Sequence, residues 1–181
     1  MKLMVASDIH GSAFWCRRLL GAFEREGAER LLLLGDILYH GPRNDLPEDY
    51  APKDVAAMLN TLSGRVFGVR GNCDAEIDQM LLDFPMMADY CLLFAGTHSV
   101  FATHGHVWNT EHLPPLQPGD LLLHGHTHVP SWDQTAGGVY GLNPGSVSIP
   151  KENSPHGVLL IDGDLIEWKT LDGVSYHRLC L

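Results

Sequence analysis

Four consecutive leucines, Leu31 to Leu34, stop abruptly at Gly35-Asp36. A short unbroken apolar run closed by a turn residue fits a strand covered on both faces of a sheet, because an amphipathic helix would interleave polar residues at its own period. Residues 2–7 form a similar run at the start of the chain, and Val66-Phe67-Gly68-Val69 supplies a third. Between the first two, Ser12 is placed to cap a helix whose apolar residues Phe14, Trp15, Leu19, Leu20 and Phe23 recur at helical spacing and end near Gly27. Residues 53–62 repeat the helical pattern after a Pro-rich loop. Strand, helix and strand in this order predict a βαβ start and an α/β fold.

Beyond residue 85 the pattern becomes mostly β. Segments 89–95, 98–103, 120–124, 139–142, 157–161, 164–170 and 174–180 read as short strands, with Asp162-Gly163 and Asp172-Gly173 as hairpin turns. No repeat or linker interrupts them, and 181 residues fit one domain spanning 1–181. The Pro/Gly-rich stretches 41–52 and 113–119 read as loops over a site.

Composition narrows the function classes. The net charge of −10 repels phosphate backbones and anionic headgroups, which disfavours extended nucleic acid and membranes as partners. Residues 1–8 are too short for a secretory apolar region, and no later stretch approaches a membrane span, so a soluble, cytoplasmic protein is expected. The four cysteines lack CxxC spacing, and Cys16, Cys91 and Cys180 read as small core hydrophobes. The unusual count is 11 His, close to the 12 Lys and Arg combined, and each is a potential metal ligand.

Those histidines cluster at strand ends. Asp8-Ile9-His10 follows the first run, and alternation along an extended chain would send Asp8 and His10 to one side. Gly35-Asp36, Gly71-Asn72, His104-Gly105 and Gly125-His126-Thr127-His128 follow later runs in the same manner. Taken singly, each is ordinary: Asp-x-His is often a turn, Gly-Asp a loop, and His-x-His a satisfied pair. Together they point to one place, because ligands of open α/β sheets bind at the carboxyl ends of the strands.

This ordered series resembles the metallophosphoesterase (calcineurin-like) superfamily, and Asn143-Pro144-Gly145-Ser146 is similar to its small bacterial and archaeal phosphodiesterase branch. The resemblance implies a four-layer αββα sandwich, two mixed β-sheets flanked by helices, with two divalent metal ions at the strand ends. It assigns Asp8, His10, Asp36 and His128 to one ion and Asp36, Asn72, His104 and His126 to the other, with Asp36 as the bridge. An N/O donor set without thiolate suits Mn²⁺, Fe²⁺, Zn²⁺, Ni²⁺ or Mg²⁺, and the resemblance favours Mn²⁺. Water held between two such ions becomes a hydroxide near neutral pH and can attack a small phosphodiester in line.

One position departs from the family. Gly71-Asn72-Cys73-Asp74 carries Cys73 where most members have a histidine that serves the transition state or the leaving oxygen. A thiol replaces an imidazolium poorly, so diesters with good leaving groups are the expected substrates. The catalytic set is therefore read as Asp36, Cys73 and Asp74, with Asp74 either orienting a ligand or lying on the surface. Arg43, Asn44 and His106 are substrate candidates, Arg43 and Asn44 within the loop His40-Gly41-Pro42-Arg43-Asn44. His106 and His124 flank ligand positions and suit pocket roles, whereas His98, His112, His156 and His177 read as surface or packing residues. Arg70 pairs with a buried carboxylate or approaches phosphate, and Asn143–Ser146 forms a turn behind the histidine loops. Two other functions compete: a phosphomonoesterase or protein phosphatase, and a binding scaffold like the retromer subunit that shares the fold. Trp168 and Tyr176 hint at a homo-oligomer contact, with core packing as the alternative.

Overall fold

The leucine run lies in a strand with both faces covered. The computed structural model describes residues 1–181. Its first half runs β1 (Lys2–Ala6), α1 (Ala13–Arg25), β2 (Arg30–Leu33), α2 (Pro52–Asn60), β3 (Val66–Gly68) and α3 (Glu76–Gln79). The second half is all strand: β4 (Tyr90–Ala95), β5 (His98–Thr103), β6 (Leu121–Leu123), β7 (Ser131–Gln134), β8 (Tyr140–Asn143), β9 (Gly157–Asp162), β10 (Leu165–Thr170) and β11 (Ser175–Cys180). No helix is long and apolar enough to cross a membrane.

The strands form two mixed sheets, one ordered β11-β10-β9-β1-β2-β3 and the other β4-β5-β6-β8-β7. In the first, β1, β2 and β3 are parallel and β9 to β11 join antiparallel; in the second, β5, β6 and β8 are parallel between antiparallel edges β4 and β7. Side chains alternate across a strand, and the leucines divide accordingly. Leu31 and Leu33 join Met4, Ala6, Leu19, Phe23, Val55 and Leu59 beneath α1 and α2. Leu32 and Leu34 face the second sheet with Leu3, Val5, Val100, Leu121, Leu142 and Trp168.

Helix α1 begins where Ser12 Oγ accepts the Trp15 N–H at 3.2 Å, and just beyond its end Gly27 takes φ 63°. Helix α2 opens on Pro52, whose fixed φ suits a first turn. Both expected hairpins are present, joining β9 to β10 through Gly163 and β10 to β11 through Gly173.

The outermost layer over the second sheet differs from the helix that the sandwich expectation placed there. Phe101, Leu122 and Val139 are covered by Trp108, Leu113 and Leu116 from the connection between β5 and β6. That segment carries Pro114, Pro115, Pro118 and Gly119, which cannot sustain a helix. The same contacts place 113–119 on the outer face of the second sheet rather than over the site. Trp168 is fully buried, its indole N–H donating to Asn143 O at 2.8 Å, so it is core and offers no subunit contact. Tyr176 is half-buried against the same cluster. Cys16 is buried as expected, but Cys91 is half-buried and Cys180 is exposed on the edge strand β11. Strand β7 and helix α3 escaped the sequence pattern: Ser-Trp-Asp-Gln is an exposed edge without an apolar stripe, and α3 is a single turn.

Candidate metal centre

Five chain segments leave the two sheets at one end. Asp8 and His10 follow β1, Asp36 follows β2, Asn72 follows β3, His104 follows β5, and His126 and His128 follow β6. The expectation that alternation aligns Asp8 with His10 is corrected here. Both residues are left-handed, with φ 59° and 49°, so the chain coils rather than extends after β1. Asp36, His126 and His128 share this conformation, with φ 52°, 67° and 63°. It costs a non-glycine residue about 1–2 kcal/mol, and it turns each side chain inward at once.

Glycines permit the close approach of these turns. A Cβ on Gly71 would overlap Asp36 Oδ1, and one on Gly125 would overlap Ser7 Oγ. The turns are also tied to one another: Asp8 N donates to Gly35 O at 3.2 Å, His10 N to Asp36 O at 2.9 Å, and Gly125 N to His104 O at 2.7 Å. Across the two sheets, His126 N donates to Asp8 Oδ2 at 3.1 Å.

On one side, Asp8 Oδ1 lies 3.4 Å from His10 Nε2 and 3.2 Å from His128 Nε2, and the two Nε2 atoms are 3.3 Å apart. His10 Nδ1 is 2.8 Å from Tyr39 O, and His128 Nδ1 is 2.9 Å from Ile149 O. Each carbonyl accepts the Nδ1 proton, which leaves an Nε2 lone pair facing inward. Asp8 Oδ1 is buried and has no hydrogen-bond partner. With both rings neutral, two lone pairs and a carboxylate oxygen converge without a donor among them, an arrangement that fits a cation. The three ligand atoms lie within 4.8 Å of one another, as do those of Asp8, Asp36 and His104.

On the other side, His104 Nε2 lies 3.1 Å from Asn72 Oδ1, 3.2 Å from His126 Nδ1 and 3.5 Å from Asp36 Oδ2. Its Nδ1 is 2.7 Å from Leu34 O, again fixing the tautomer. Asp36 stands between the two groups, with Oδ2 also 3.7 Å from His10 Nε2. His126 differs from the other three imidazoles because it offers Nδ1.

Burial and mutual charge set the protonation of these groups. Burial raises the Asp8 carboxyl, but His10 and His128 outweigh it and hold the group well below its ordinary range. Burial lowers His10, yet Asp8 raises it overall; burial likewise opposes His104, which Asp36 and Asp8 push up to about 9. Burial and the neighbouring His104 pull His126 down to about 4.

Asp74, expected in a catalytic role, does not line the cleft and commits both carboxylate oxygens to main-chain donors. Its Oδ2 accepts the N–H groups of Asp36 at 2.8 Å and Gly71 at 2.7 Å, and its Oδ1 accepts that of Ile37 at 2.9 Å. It is a positioning residue that ties the end of β2 to the end of β3. The turn at 143–146 does support the histidine loop, since Asn143 Nδ2 donates to Gly125 O at 2.9 Å and Thr127 Oγ1 at 3.0 Å. Ser146 Oγ and Ser148 Oγ both donate to Asp8 O, at 2.9 and 3.0 Å.

The site opens into a cleft of about 460 Å³ lined by Asp36, Gly41, Pro42, Arg43, Asn44, Asn72, Cys73, His126, Thr127, His128 and Lys151. Arg43, Asn44 and Cys73 thus border the same cleft as Asp36 and the two histidines. Burial, then the Asp36 carboxylate, pushes the Cys73 thiol up to about 12. His106 stands one ring behind, 5.4 Å from the His104 ring centroid, and does not line the cleft. His124 is buried beneath the histidine loop, with Nδ1 3.4 Å from Asn143 Nδ2. Arg70 takes neither suggested part: it pairs at 2.8 Å with Asp89, an exposed carboxylate. Lys151 was missed, because a lone lysine after Ile149-Pro150 carries no motif.

Residues 1–164 match the calcineurin-like phosphoesterase superfamily domain. Phosphodiesterase YfcE of Escherichia coli K12 is 49% identical over 175 residues, covering 97% of this chain and 95% of that protein. The solved structure of the Escherichia coli phosphoesterase Yfce superposes with a TM-score of 0.95 at 45% identity over 99% of both chains. Vacuolar protein sorting 29 from Cryptosporidium parvum shares the fold, with a TM-score of 0.57 at 17% identity over 99% of this chain and 98% of its own. With both the family domain and a near-superposable relative matched along almost its whole length, the chain belongs to the calcineurin-like phosphoesterase superfamily.

Proposed function

We propose that residues 1–181 act as one domain, a metal-dependent phosphodiesterase that hydrolyses small phosphodiesters at a dinuclear centre. The observation that carries this reading is the convergence of the buried, unpartnered Asp8 Oδ1 with His10 Nε2 and His128 Nε2. Asp8, His10, Asp36 and His128 would hold one divalent ion, and Asp36, Asn72, His104 and His126 the other. The position of Asp36 Oδ2 between His10 and His104 supports its role as the bridge. The donor set is N and O, and Mn²⁺ is the ion expected. When bound, the ions supply a nucleophile at neutral pH and charge that offsets the phosphate oxygens.

The chain's own groups do the rest. Main-chain carbonyls of Tyr39, Leu34 and Ile149 keep three imidazoles in one tautomer and orientation, so the donor atoms need no rearrangement. Asp74 fixes Asp36 through its main chain. Cys73 borders the cleft with a thiol pushed up to about 12, too weak an acid to protonate a departing oxygen efficiently. The leaving oxygen therefore departs with the electron pair of the P–O bond and takes its proton from water, which favours diesters with acidic leaving groups over monoesters.

The test is hydrolysis of bis(p-nitrophenyl) phosphate against p-nitrophenyl phosphate, with and without Mn²⁺. Release from the diester that requires the ion is expected. Preference for the monoester would support a phosphomonoesterase, and no metal-dependent release from either would support a scaffold.

A further inference from the structure

Of the twelve Lys and Arg residues, eight pair with carboxylates and Arg30 holds the carbonyl of Gly64. The three left without such a partner are Arg43, Lys53 and Lys151. In a chain of net charge −10, free cations are scarce, and two of these three line the candidate metal cleft. Lys53 lines the adjoining groove on the far side of Cys73.

Neither cleft cation sits on a loose segment. Lys151 N donates to the carbonyl of His128 at 3.1 Å, and Ser154 Oγ donates to Lys151 O at 2.6 Å, so its main chain is fixed beside a candidate ligand. Arg43 lies in a turn closed by Asn44, whose Nδ2 donates to His40 O at 2.8 Å and whose N–H donates to Gly41 O at 3.3 Å. The two cations come from different connections, one after β2 and one after β8, and both border the same cleft. Asp36 is its only carboxylate.

The rest of the lining narrows the ligand. Pro42 and Cys73 are its only side chains of low polarity, and it holds no Phe, Tyr or Trp. Within the cleft itself a nucleobase would find no Phe, Tyr or Trp to stack on; the aromatic and apolar side chains, Tyr39, Tyr50 and Leu81 among them, line the adjoining groove past Cys73. We propose that Arg43 and Lys151 form a subsite for a second anionic group, a carboxylate or a phosphate, carried on one short arm of the diester. This rests on the phosphodiesterase reading above and names the substrate class that the cleft prefers.

The test compares three p-nitrophenyl diesters with the Mn²⁺-loaded protein, their second arms being propyl, 2-carboxyethyl and 2-phosphonoethyl. Wild-type kcat/KM is expected to be about fivefold higher for the anionic arms, the scale of one solvent-exposed ion pair. The larger of the two preferences identifies the anion. Lys151→Gln should lower the preference about threefold, Lys151→Arg should restore it, Lys151→Glu should reverse it, and added salt should shrink it. Equal rates on all three esters, or a preference untouched by Lys151→Gln and Lys151→Glu, would overturn the subsite while leaving the hydrolase intact. Absence of metal-dependent nitrophenolate from every ester would instead reject the phosphodiesterase reading, and the subsite with it.

Discussion

His10 and His128 face each other Nε2 to Nε2 at 3.3 Å, each with Nδ1 committed to a main-chain carbonyl. Such a pair holds either a proton or a metal ion between its nitrogens and the Asp8 carboxylate. The two compete, and the direction of the competition follows from the protonation of the free site. Asp8 raises His10 above 6.5 despite its burial, and Asp36 pushes His104 up to about 9. Below these values an ion must displace the proton. Mn²⁺ affinity should therefore climb with pH by up to about tenfold per unit for each proton displaced and level off above about 9. Calorimetry in buffers of different ionisation enthalpy reads the protons released; uptake without proton release between pH 6.5 and 8 would contradict this.

Asp74→Asn should act through position. Three N–H groups converge on the carboxylate, and an amide can accept on one oxygen only, leaving its own NH₂ against a donor. A loss of about 2–3 kcal/mol is expected, with weaker metal retention. Asp36→Asn should also lose metal but melt near the wild type. Denaturant titration with metal analysis separates the two; similar stability for both variants would place Asp74 outside the support of this turn.

Cys73→His should raise kcat on diesters, and the gain should be larger for poor leaving groups, because an imidazolium donates a proton that the thiol retains. Cys73→Ser should change little. A leaving-group series gives the comparison, and a flat or reduced rate in a folded, metal-loaded Cys73→His protein contradicts the assigned part of this position.

His156 stacks on Trp15 with ring centroids 3.5 Å apart, and its Nδ1 lies 2.8 Å from Val147 O. Burial lowers its pKa below 6.5, so the folded chain prefers the neutral ring. Between the depressed value and 6.5 the unfolded chain binds the proton and the folded chain does not. The stability it contributes is complete above about 6.5 and is lost as pH falls through the folded pKa. His156→Gln should flatten the decline between pH 7 and 5. Urea titrations at both pH values, with identical slopes for the two proteins, would remove His156 from the account.

Much of this was legible because strand ends write themselves as apolar runs that stop at a glycine or a ligand. Leu31–Leu34 followed by Gly35-Asp36 specifies a doubly covered strand and the side chain at its tip. What local patterning cannot express is conformation beyond the strand: Asp8 and His10 converge through left-handed turns, not alternation. Nor does it express which neighbour claims a charge. Asp74 belongs to three main-chain donors, and Arg70 to Asp89. Lys151 joins the cleft only through the fold that brings the connection after β8 against His128. The strand at Ser131–Gln134 stayed hidden because an exposed edge imposes no hydrophobic period.

The left-handed backbone at Asp8, His10, Asp36, His126 and His128 sets stability against activity at the same positions. Glycine there would relieve the main chain and remove a ligand in the same step. Five left-handed non-glycine residues at one end of the sheets thus concentrate the main-chain cost where the proposed ligands stand.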